Sequence, residues 1–596
     1  MTITWRNFSK IAFASLLILG TQACGDSNNN QPNPATETSK KDKVAEVIIH
    51  NLGDPDKLNP LTSSSADASY IQAQIFSALL TYDPATLQLA PYMAVALPKV
   101  TEINEGEFAG GMSLEFEIDP QATWDNGSPV TATDYVFTIK AVKNPKTNAA
   151  AQRPYLDFID KIVVDASNAK KFTIYSKERY FLANSSAGGL LILPEYVYDS
   201  LQLMRKFSVE ELDNPKNTER LSINDDISRF ADAFNGNKFD REIVSGCGAY
   251  TFKKWETGQF ITLERKKDWW GDKSKNPLMK AYAPAITYKM VNDPKTAITQ
   301  MENEDLDIMA SIKPDEFVDL KEKKEFTRKY ELTTPDQFAY AYVGFNTKNP
   351  KLADKRVRRA LAHLVNRDDI IETLYKGLAV KTNSPINPKK PYYDKSIPDI
   401  DFNPEKAKAI FAEAGWVDTD GDAILDKIVN GKKTNMELIY KYNNGNPIRK
   451  NIGVLLQEEA KRIGVKITIE AREWTVFLDD TKKRDFELVS LAWVQSPSLD
   501  DLKQIWHTSG DSPDGSNRVG FGNKESDAII DKIRITLDQT ERDSLYKRIQ
   551  QIIFEEQPYV FLCVPSERIS IHKRFEGRST SAARPGYSPH MLYLKE

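Results

Sequence analysis

The sequence predicts an α/β protein that folds into two or more lobes. The chain has 596 residues, which is more than one hydrophobic core usually holds. Hydrophobic residues make up 40% of it and aromatic residues 10%, which are values typical of a globular protein. Short apolar segments with strand periodicity alternate with longer segments of helical periodicity, and this alternation favours α/β lobes over a β-sandwich or a helix bundle.

The first half of the chain opens with a short apolar strand at 44–50, followed by a turn-rich loop at 51–60. The spacing of apolar residues then predicts a helix at 68–80. The further predicted elements are a strand at 112–118, a helix at 133–142 capped by Thr131 or Thr133, and strands at 260–263 and 286–290.

The second half carries helices with clear start and stop signals. Asp354 can cap one helix, and Pro404 stands in the first turn of another that stops at Gly415. A third helix at 452–463 runs into an alternating strand at 465–469, and a late helix is centred on 545–553. The alternation of helices and strands therefore continues to the end of the chain.

The amino-terminal segment has the pattern of a secretory leader. Basic residues precede an apolar run at 11–20, which is about half the ~20 residues that a membrane-spanning helix needs. Ala23 stands directly before Cys24, and the chain then stays polar to about residue 43. The pattern resembles a bacterial lipoprotein, in which cleavage precedes the cysteine and lipid is attached to its thiol.

The sequence therefore predicts a signal peptide at 1–23, lipidation of Cys24 and a disordered tether over 24–43. We expect the folded body to be anchored by lipid to a membrane of the bacterial cell envelope, on the periplasmic or extracytoplasmic side. The alternative is an ordinary cleaved signal followed by a chance cysteine.

Composition and motifs exclude several classes of function. The net charge of −4, with mixed signs, gives no argument for nucleic acid. The five histidines show no metal-ligand spacing, and the chain has neither a G-x-S-x-G elbow nor a G-x-x-x-x-G-K-[ST] loop. No motif in the sequence proposes an enzyme, and we expect neither catalysis nor a cofactor. Cys247 and Cys563 are either bridged, as an oxidising compartment allows, or two small buried thiols.

Seven segments in order across nearly the whole mature chain carry the main functional signal. They are Leu58-Asn-Pro60, Gln74–Leu80, Leu89–Ala94, Phe116–Asp134, Ser245–Tyr250, Gly344-Phe-Asn346 with Arg356–Leu361, and Pro404–Lys408 with Glu413–Trp416. Together they resemble the extracytoplasmic solute-binding proteins of peptide ABC importers, the dipeptide/oligopeptide-binding family, which also contains nickel binders. The fourth segment is similar to that family's W-x-D-G-x-P-x-T-A-x-D signature.

The resemblance implies a two-lobed periplasmic-binding-protein-like fold (type II) with two hinge crossings, near 340–346 and 560–564. Lobe I would comprise 44–75, 190–340 and 563–596, with an extra subdomain at 76–189, and lobe II would comprise 341–562. A peptide would lie enclosed between the lobes. The expected partners are ABC transporter permease subunits and, through the lipid anchor, a membrane, with the protein itself a monomer.

The resemblance also implies ligand-binding residues. Peptide binders of the family carry a Trp and, three residues later, an Asp that pairs with the peptide's amino terminus, because charge-assisted hydrogen bonds are strong where water is excluded. Here Trp493 is present, but Ser496 stands in place of the Asp. Asp500 and Asp501 are near and are expected to open the next helix. The alternative for Trp493 is a plain core residue.

Other candidates for the cleft are Trp474 and Phe477, which follow the strand at 465–469, and Ser64 and Ser65, which lie where the first lobe's ligand loop is expected. Small hydroxyls there could bind a peptide main chain. A second hypothesis is a binding lipoprotein for a non-peptide solute, a nickel chelate or a sugar oligomer, and His507 is the histidine that a nickel chelate would use.

An acidic loop over 418–426 presents four carboxylates, and alternate acids about a glycine resemble part of a calcium loop. The full twelve-residue pattern is missing, so we favour a solvated turn and predict no metal. The metal candidates to check are Asp418, Asp420, Asp422 and Asp426.

Overall fold

The computed structural model describes residues 45–512 and 515–595. Its strands are β1 Val47–Asn51, β2 Leu80–Tyr82, β3 Leu89–Pro91, β4 Lys99–Glu102, β5 Met112–Glu117, β6 Lys161–Val164, β7 Lys171–Ser176, β8 Tyr250–Glu256, β9 Phe260–Arg265, β10 Ala285–Met290, β11 Ile308–Met309, β12 Tyr330–Thr333, β13 Ala339–Phe345, β14 Ala379–Lys381, β15 Asp426–Val429, β16 Lys432–Asn435, β17 Glu437–Asn443, β18 Lys466–Arg472, β19 Leu488–Val494, β20 Tyr559–Pro565, β21 Ile569–His572, β22 Phe575–Glu576 and β23 Tyr593–Leu594.

The α-helices are α1 Ala66–Ile75, α2 Ala132–Lys143, α3 Arg153–Leu156, α4 Ala183–Gly188, α5 Glu195–Tyr198, α6 Val209–Asp213, α7 Thr218–Ser222, α8 Asp225–Phe234, α9 Pro294–Glu302, α10 Pro314–Glu322, α11 Lys324–Lys329, α12 Lys355–Ala362, α13 Arg367–Asp369, α14 Pro404–Glu413, α15 Pro447–Arg462, α16 Trp474–Lys483, α17 Lys503–Trp506, α18 Lys524–Ile535 and α19 Gln539–Glu556.

The first lobe, lobe I, is built on a seven-stranded sheet with the order β12-β21-β11-β1-β10-β9-β8. The central strand β1 is parallel to both of its neighbours. Its side chains alternate between buried and half-buried, as expected for a strand whose one face is covered more fully. The sheet draws its strands from both ends of the chain, so lobe I is discontinuous in sequence.

The second lobe, lobe II, is built on a six-stranded sheet with the order β14-β20-β13-β19-β17-β18. Strand β13 is buried over its whole length and is antiparallel to both β20 and β19. A separate four-stranded sheet, β4-β5-β7-β6, forms the core of a subdomain between the first strand of lobe I and its later strands. The chain is therefore an α/β protein of two lobes.

The chain passes between the two main sheets at 334–338 and again at 566–568, and these links touch through the bridge between Asp336 and Ser566. The sequence placed the crossings a few residues away, at 340–346 and 560–564. In the structure those segments are the buried strands β13 and β20, both within the sheet of lobe II. A continuous apolar run predicts a central strand equally well, which explains the shift.

Two helices begin at the caps predicted for them, while other boundaries differ, as for the helix predicted at 452–463, which spans Pro447–Arg462. Asp354 caps α12 by accepting from the backbone N of Arg356 at 2.9 Å, and Thr131 caps α2 within a capping box. The helix predicted at 68–80 instead ends at Ile75, because Phe76 is already extended and the chain continues into β2.

Cys247 and Cys563 are free, buried thiols, so the reading as two unbridged cysteines is the correct one. Burial raises the pKa of the Cys247 thiol to about 11 and that of Cys563 to about 12. Among the helices of the described residues, none combines the length and apolar character needed to cross a bilayer. The predicted signal peptide, Cys24 and the whole tether lie outside the described residues.

Candidate functional site

A cavity of about 700 Å³ lies where lobe I, its subdomain and lobe II meet. Helix α1 forms one wall, the carboxy-terminal stretch 579–591 a second, and residues 78–92 with 185–191 a third. Lobe II contributes the loop that follows β19, through Gln495, Ser496 and Pro497. A cavity of this size, enclosed by more than one lobe, is the usual form of a small-ligand site.

The lobe II loop is held in place by hydrogen bonds at its start. The backbone N of Gln495 donates to the carbonyl O of Phe338 at 2.7 Å, which extends the pairing of β13 with β19. The side chain of Gln495 donates to the carbonyl O of Pro385 at 2.7 Å and to Asp500 Oδ1 at 3.1 Å. Its Oε1 is buried and accepts no hydrogen bond within the described chain. This residue of the cavity wall therefore has an unpaired acceptor.

A buried ion pair supports the same loop from behind. Lys390 Nζ lies 2.8 Å from Asp500 Oδ1, and the two side chains are 4% and 10% exposed. The ammonium also donates to the carbonyl O of Ser498 at 2.7 Å, and the Tyr392 hydroxyl donates to Asp500 Oδ2 at 3.0 Å. Burial lowers the pKa of Lys390, and the Asp500 carboxylate opposes that shift. Asp500 is thus already paired within the protein.

Ser496 lines the cavity and is exposed. Its hydroxyl shares a short hydrogen bond with the hydroxyl of Ser498. Trp493 is half-buried, packs against the core, and does not line this cavity. Its indole Nε1 donates to the Tyr559 hydroxyl at 3.3 Å. In the structure as it stands, Trp493 has the role of a core residue.

Trp474 and Phe477 lie on α16 with their ring centroids 6.1 Å apart. Trp474 is 49% exposed, whereas Phe477 is fully buried in the core. Neither lines the cavity. The prediction that Phe477 faces the cleft is wrong, because its position on α16 places the ring in the core.

Ser64 and Ser65 serve the start of α1. Ser65 is the N-cap and accepts from the backbone N of Ala68 at 3.3 Å, while the backbone N of Ser64 donates to Asp56 Oδ2 at 3.0 Å. The helix residues that follow, Ala66 and Ser69, line the cavity instead. The predicted segment therefore reaches the site from Ala66 onwards, directly after Ser65.

The carboxy-terminal stretch supplies site residues that sequence reasoning missed. Arg584 is exposed on the cavity wall, and its positive charge opposes the burial that raises the pKa of Asp67. His590 lines the cavity with a buried Nδ1 that has no partner in the part of the chain described. Burial lowers the pKa of His590 to about 4, so its imidazole is neutral at pH 7. Both residues lie in a turn-rich segment without periodicity.

His507 is not the histidine of the cleft. Its Nδ1 accepts from the backbone N of Ser509 at 2.9 Å, and its Nε2 faces Asp531 at 3.4 Å. It does not line the cavity. The cavity is lined instead by His590, which the sequence analysis did not select.

The acidic loop brings Asp418, Asp420 and Asp426 together, with carboxylate oxygens within 4.8 Å of one another. Protein donors already occupy them. Backbone N–H groups of Gly421 and Ala423 donate to Asp418, and Lys433 forms ion pairs with both Asp420 and Asp426. Asp422 accepts from the backbone N of Ile424 at 2.8 Å. The Lys433 ammonium therefore neutralises part of the negative charge of this loop.

Two lobes with a cavity between them define the class of binding proteins that enclose a small solute. Residues 102–516 match the model of "Bacterial extracellular solute-binding proteins, family 5 Middle". The chain therefore belongs to the family 5 bacterial extracellular solute-binding proteins, which are transport proteins of the extracytoplasmic space and not enzymes.

Curated relatives and solved structures agree with this assignment. The chain is 26% identical to the "Oligopeptide-binding protein AppA" of Bacillus subtilis over 97% of each chain, and 21% identical to the "Dipeptide-binding protein" of Escherichia coli over 89% and 91%. The structure of the Bacillus subtilis protein "in complex with a nonapeptide" superposes with a TM-score of 0.69 at 24% identity, covering 92% of this chain and 99% of that one. NikZ of Campylobacter jejuni "in complex with Ni(L-His)" superposes with a TM-score of 0.71 at 20% identity, covering 92% and 99%.

Proposed function

We propose that this protein captures peptides between its two lobes and delivers them to an ABC importer. The observation that carries the proposal is the cavity to which both lobes contribute. A ligand that contacts both lobes stabilises their closed arrangement by its differential affinity, which is how capture is coupled to delivery. The relatives named as oligopeptide- and dipeptide-binding proteins support peptide as the solute.

The side chains around the cavity are suited to recognise the main chain of a peptide more than its amino terminus. Ser496 is neutral where the family's peptide binders carry an acid, and Asp500 already forms an ion pair with Lys390. Gln495 and Ser496 offer hydrogen bonds to backbone amides, and Arg584 offers a cation for a carboxylate. We therefore expect a ligand that does not need a free ammonium group.

Acetylating the amino terminus of a bound peptide should weaken binding by less than the ~2–5 kcal/mol lost when a buried charge pair is broken. The reason is that, among the described residues, no carboxylate side chain lines the 700 Å³ cavity. Calorimetry with matched free and acetylated peptides measures the difference. The Ser496→Asp variant serves as the reference, since a new carboxylate should make binding sensitive to acetylation. A large loss for the wild type would mean that another acid anchors the amine.

The direct test of the function is mass spectrometry of ligand that copurifies with the protein, followed by titration with that peptide. Saturable binding without turnover of the peptide supports capture. Cleavage of the peptide by purified protein would instead indicate an enzyme, and absence of binding to any peptide would reject the proposal.

One observation favours a second candidate, a nickel chelate. His590 presents a neutral imidazole at the cavity, with Nδ1 buried and unpartnered among the described residues. Neutral imidazole is a good ligand for Ni²⁺. Titration with nickel and L-histidine, in the wild type and in His590→Gln, distinguishes the two solutes. Binding that disappears in His590→Gln would favour the chelate over peptide.

We also propose that Cys24 is lipidated and anchors the protein to a membrane through the tether at 24–43, and that lobe I carries the extra subdomain predicted at 76–189, with the lobes joined at 334–338 and 566–568. A single acyl chain binds membranes only marginally, so stable anchoring requires more than one lipid chain. Cys24→Ser should therefore move the protein from the membrane fraction to the medium or the periplasm, as measured by fractionation. Ser27→Ala in the same tether is the control, and firm membrane attachment of Cys24→Ser would contradict the anchor.

A further inference from the structure

A second cavity, of about 420 Å³, lies between the subdomain and lobe II. It shares Tyr82, Leu89, Ser185 and Pro497 with the first cavity, so the two spaces adjoin. Its remaining wall comes from strand β4 and helix α4 on one side and from the start of α19 on the other. The ligand-binding residues predicted from the sequence do not line this second cavity.

Tyr82 stands at the junction of the two cavities. It lines both of them together with Ser185, which belongs to the subdomain, and Ser498 of lobe II lines the second. Burial raises the pKa of this phenol, and the side chains of Ser185 and Ser498 oppose the shift. Lys390 donates a hydrogen bond to the carbonyl O of Ser498, so the loop of lobe II at the boundary between the two cavities is held in place. A ligand in the first cavity could continue past this one side chain into the second.

The second cavity contains polar groups whose hydrogen bonding is incomplete. Arg542 is 8% exposed; its Nη1 donates to the carbonyl O of Thr536 and of Leu537, at 2.9 and 3.0 Å, while Nε has no partner among residues 45–512 and 515–595. Asp543 Oδ1 is likewise buried without a partner there, and burial raises the pKa of this carboxyl. Unpaired buried donors and acceptors are costly. One free donor and one free acceptor on adjacent residues complement a peptide unit, which offers both.

We propose that the second cavity is a subsite for the distal part of an extended peptide whose first part occupies the 700 Å³ cavity. This inference rests on the proposed function as a peptide-binding protein. Tyr82 is the side chain over which the peptide passes, and Arg542 and Asp543 are the polar groups that meet its backbone. The preferred ligand is then an oligopeptide long enough to span both cavities, and shorter peptides fill only the first.

The test narrows the second cavity and measures affinity as a function of peptide length. Val100 lines this cavity from β4 and is 37% exposed, so Val100→Trp adds bulk without disturbing a core. Its neighbour Thr101 is exposed on the same strand and lines neither cavity, which makes Thr101→Trp the matched control. From the opposite wall, Gln539→Trp is paired with Thr540→Trp in the same way. Circular dichroism confirms that each variant is folded.

In wild type, affinity should rise with the length of peptides of one repeating composition and then level off. Val100→Trp and Gln539→Trp should weaken the long peptides by at least about tenfold and leave the shortest binder unchanged, while both controls behave as wild type. Equal affinity of the variants and wild type at every length would overturn the subsite while leaving peptide capture intact. An equal loss for short and long peptides would also overturn it. If wild type binds no peptide of any length, the proposed function and the subsite fall together.

Discussion

Replacing Lys390 by methionine should lower the free energy of unfolding by about 3–5 kcal/mol, because it leaves the Asp500 carboxylate buried without its counter-charge. Both side chains of the pair are buried, and Asp500 also accepts hydrogen bonds from the Gln495 side chain and the Tyr392 hydroxyl. The loop that carries Ser496 into the cavity should loosen as a result. Urea unfolding gives the loss of stability, and peptide titration gives the accompanying loss of affinity.

The matched control is an exposed ion pair of similar length. Lys323 and Glu302 lie 2.9 Å apart, with side chains 53% and 40% exposed, so Lys323→Met should cost no more than about 1 kcal/mol. The double variant Lys390→Met with Asp500→Asn should recover much of the loss, since no charge is then left unpaired. If Lys390→Met costs no more than Lys323→Met, the pair does not support the loop as we describe.

Much of the fold was predictable because local signals agree with it. Asp354 caps a helix in the sequence and in the structure, and Gly415 follows α14 in the left-handed conformation that its position requires. The two-lobed arrangement came from the family resemblance, since the order of strands in each sheet depends on pairings between distant segments. The sheet of lobe I joins β1 to β10, for example, with about 240 residues between them.

The candidate site was less predictable. Ser496 was found because it stands at a fixed offset from Trp493 in a family motif. Arg584 and His590 were missed because the residues around them form turns, whose side chains show no periodicity from which a shared face can be inferred. Phe477 was placed in the cleft although an aromatic residue on a helix after a strand is equally suited to the core, where the structure puts it. Which loops enclose a cavity is decided by tertiary packing, and no local pattern records it.

The stability of the protein should fall as the pH decreases from about 6.5 to about 4, and His590 should account for up to about 3 kcal/mol of that loss. Burial lowers the pKa of His590 from 6.5 to about 4 in the folded state. Between those values the unfolded chain binds a proton that the folded chain does not, so acid favours unfolding. Below about pH 4 both states are protonated and the contribution of His590 levels off.

The His590→Gln variant isolates this contribution, because other buried histidines and carboxylates also titrate in the acid range. Urea unfolding of wild type and variant at a series of pH values gives two curves. Their difference should be nearly constant above about pH 6.5 and should shrink steadily towards pH 4, as the wild type alone loses the stabilisation of a neutral buried imidazole. Parallel curves over the whole range would mean that His590 titrates like an exposed histidine. The cavity would then be open to water at that wall.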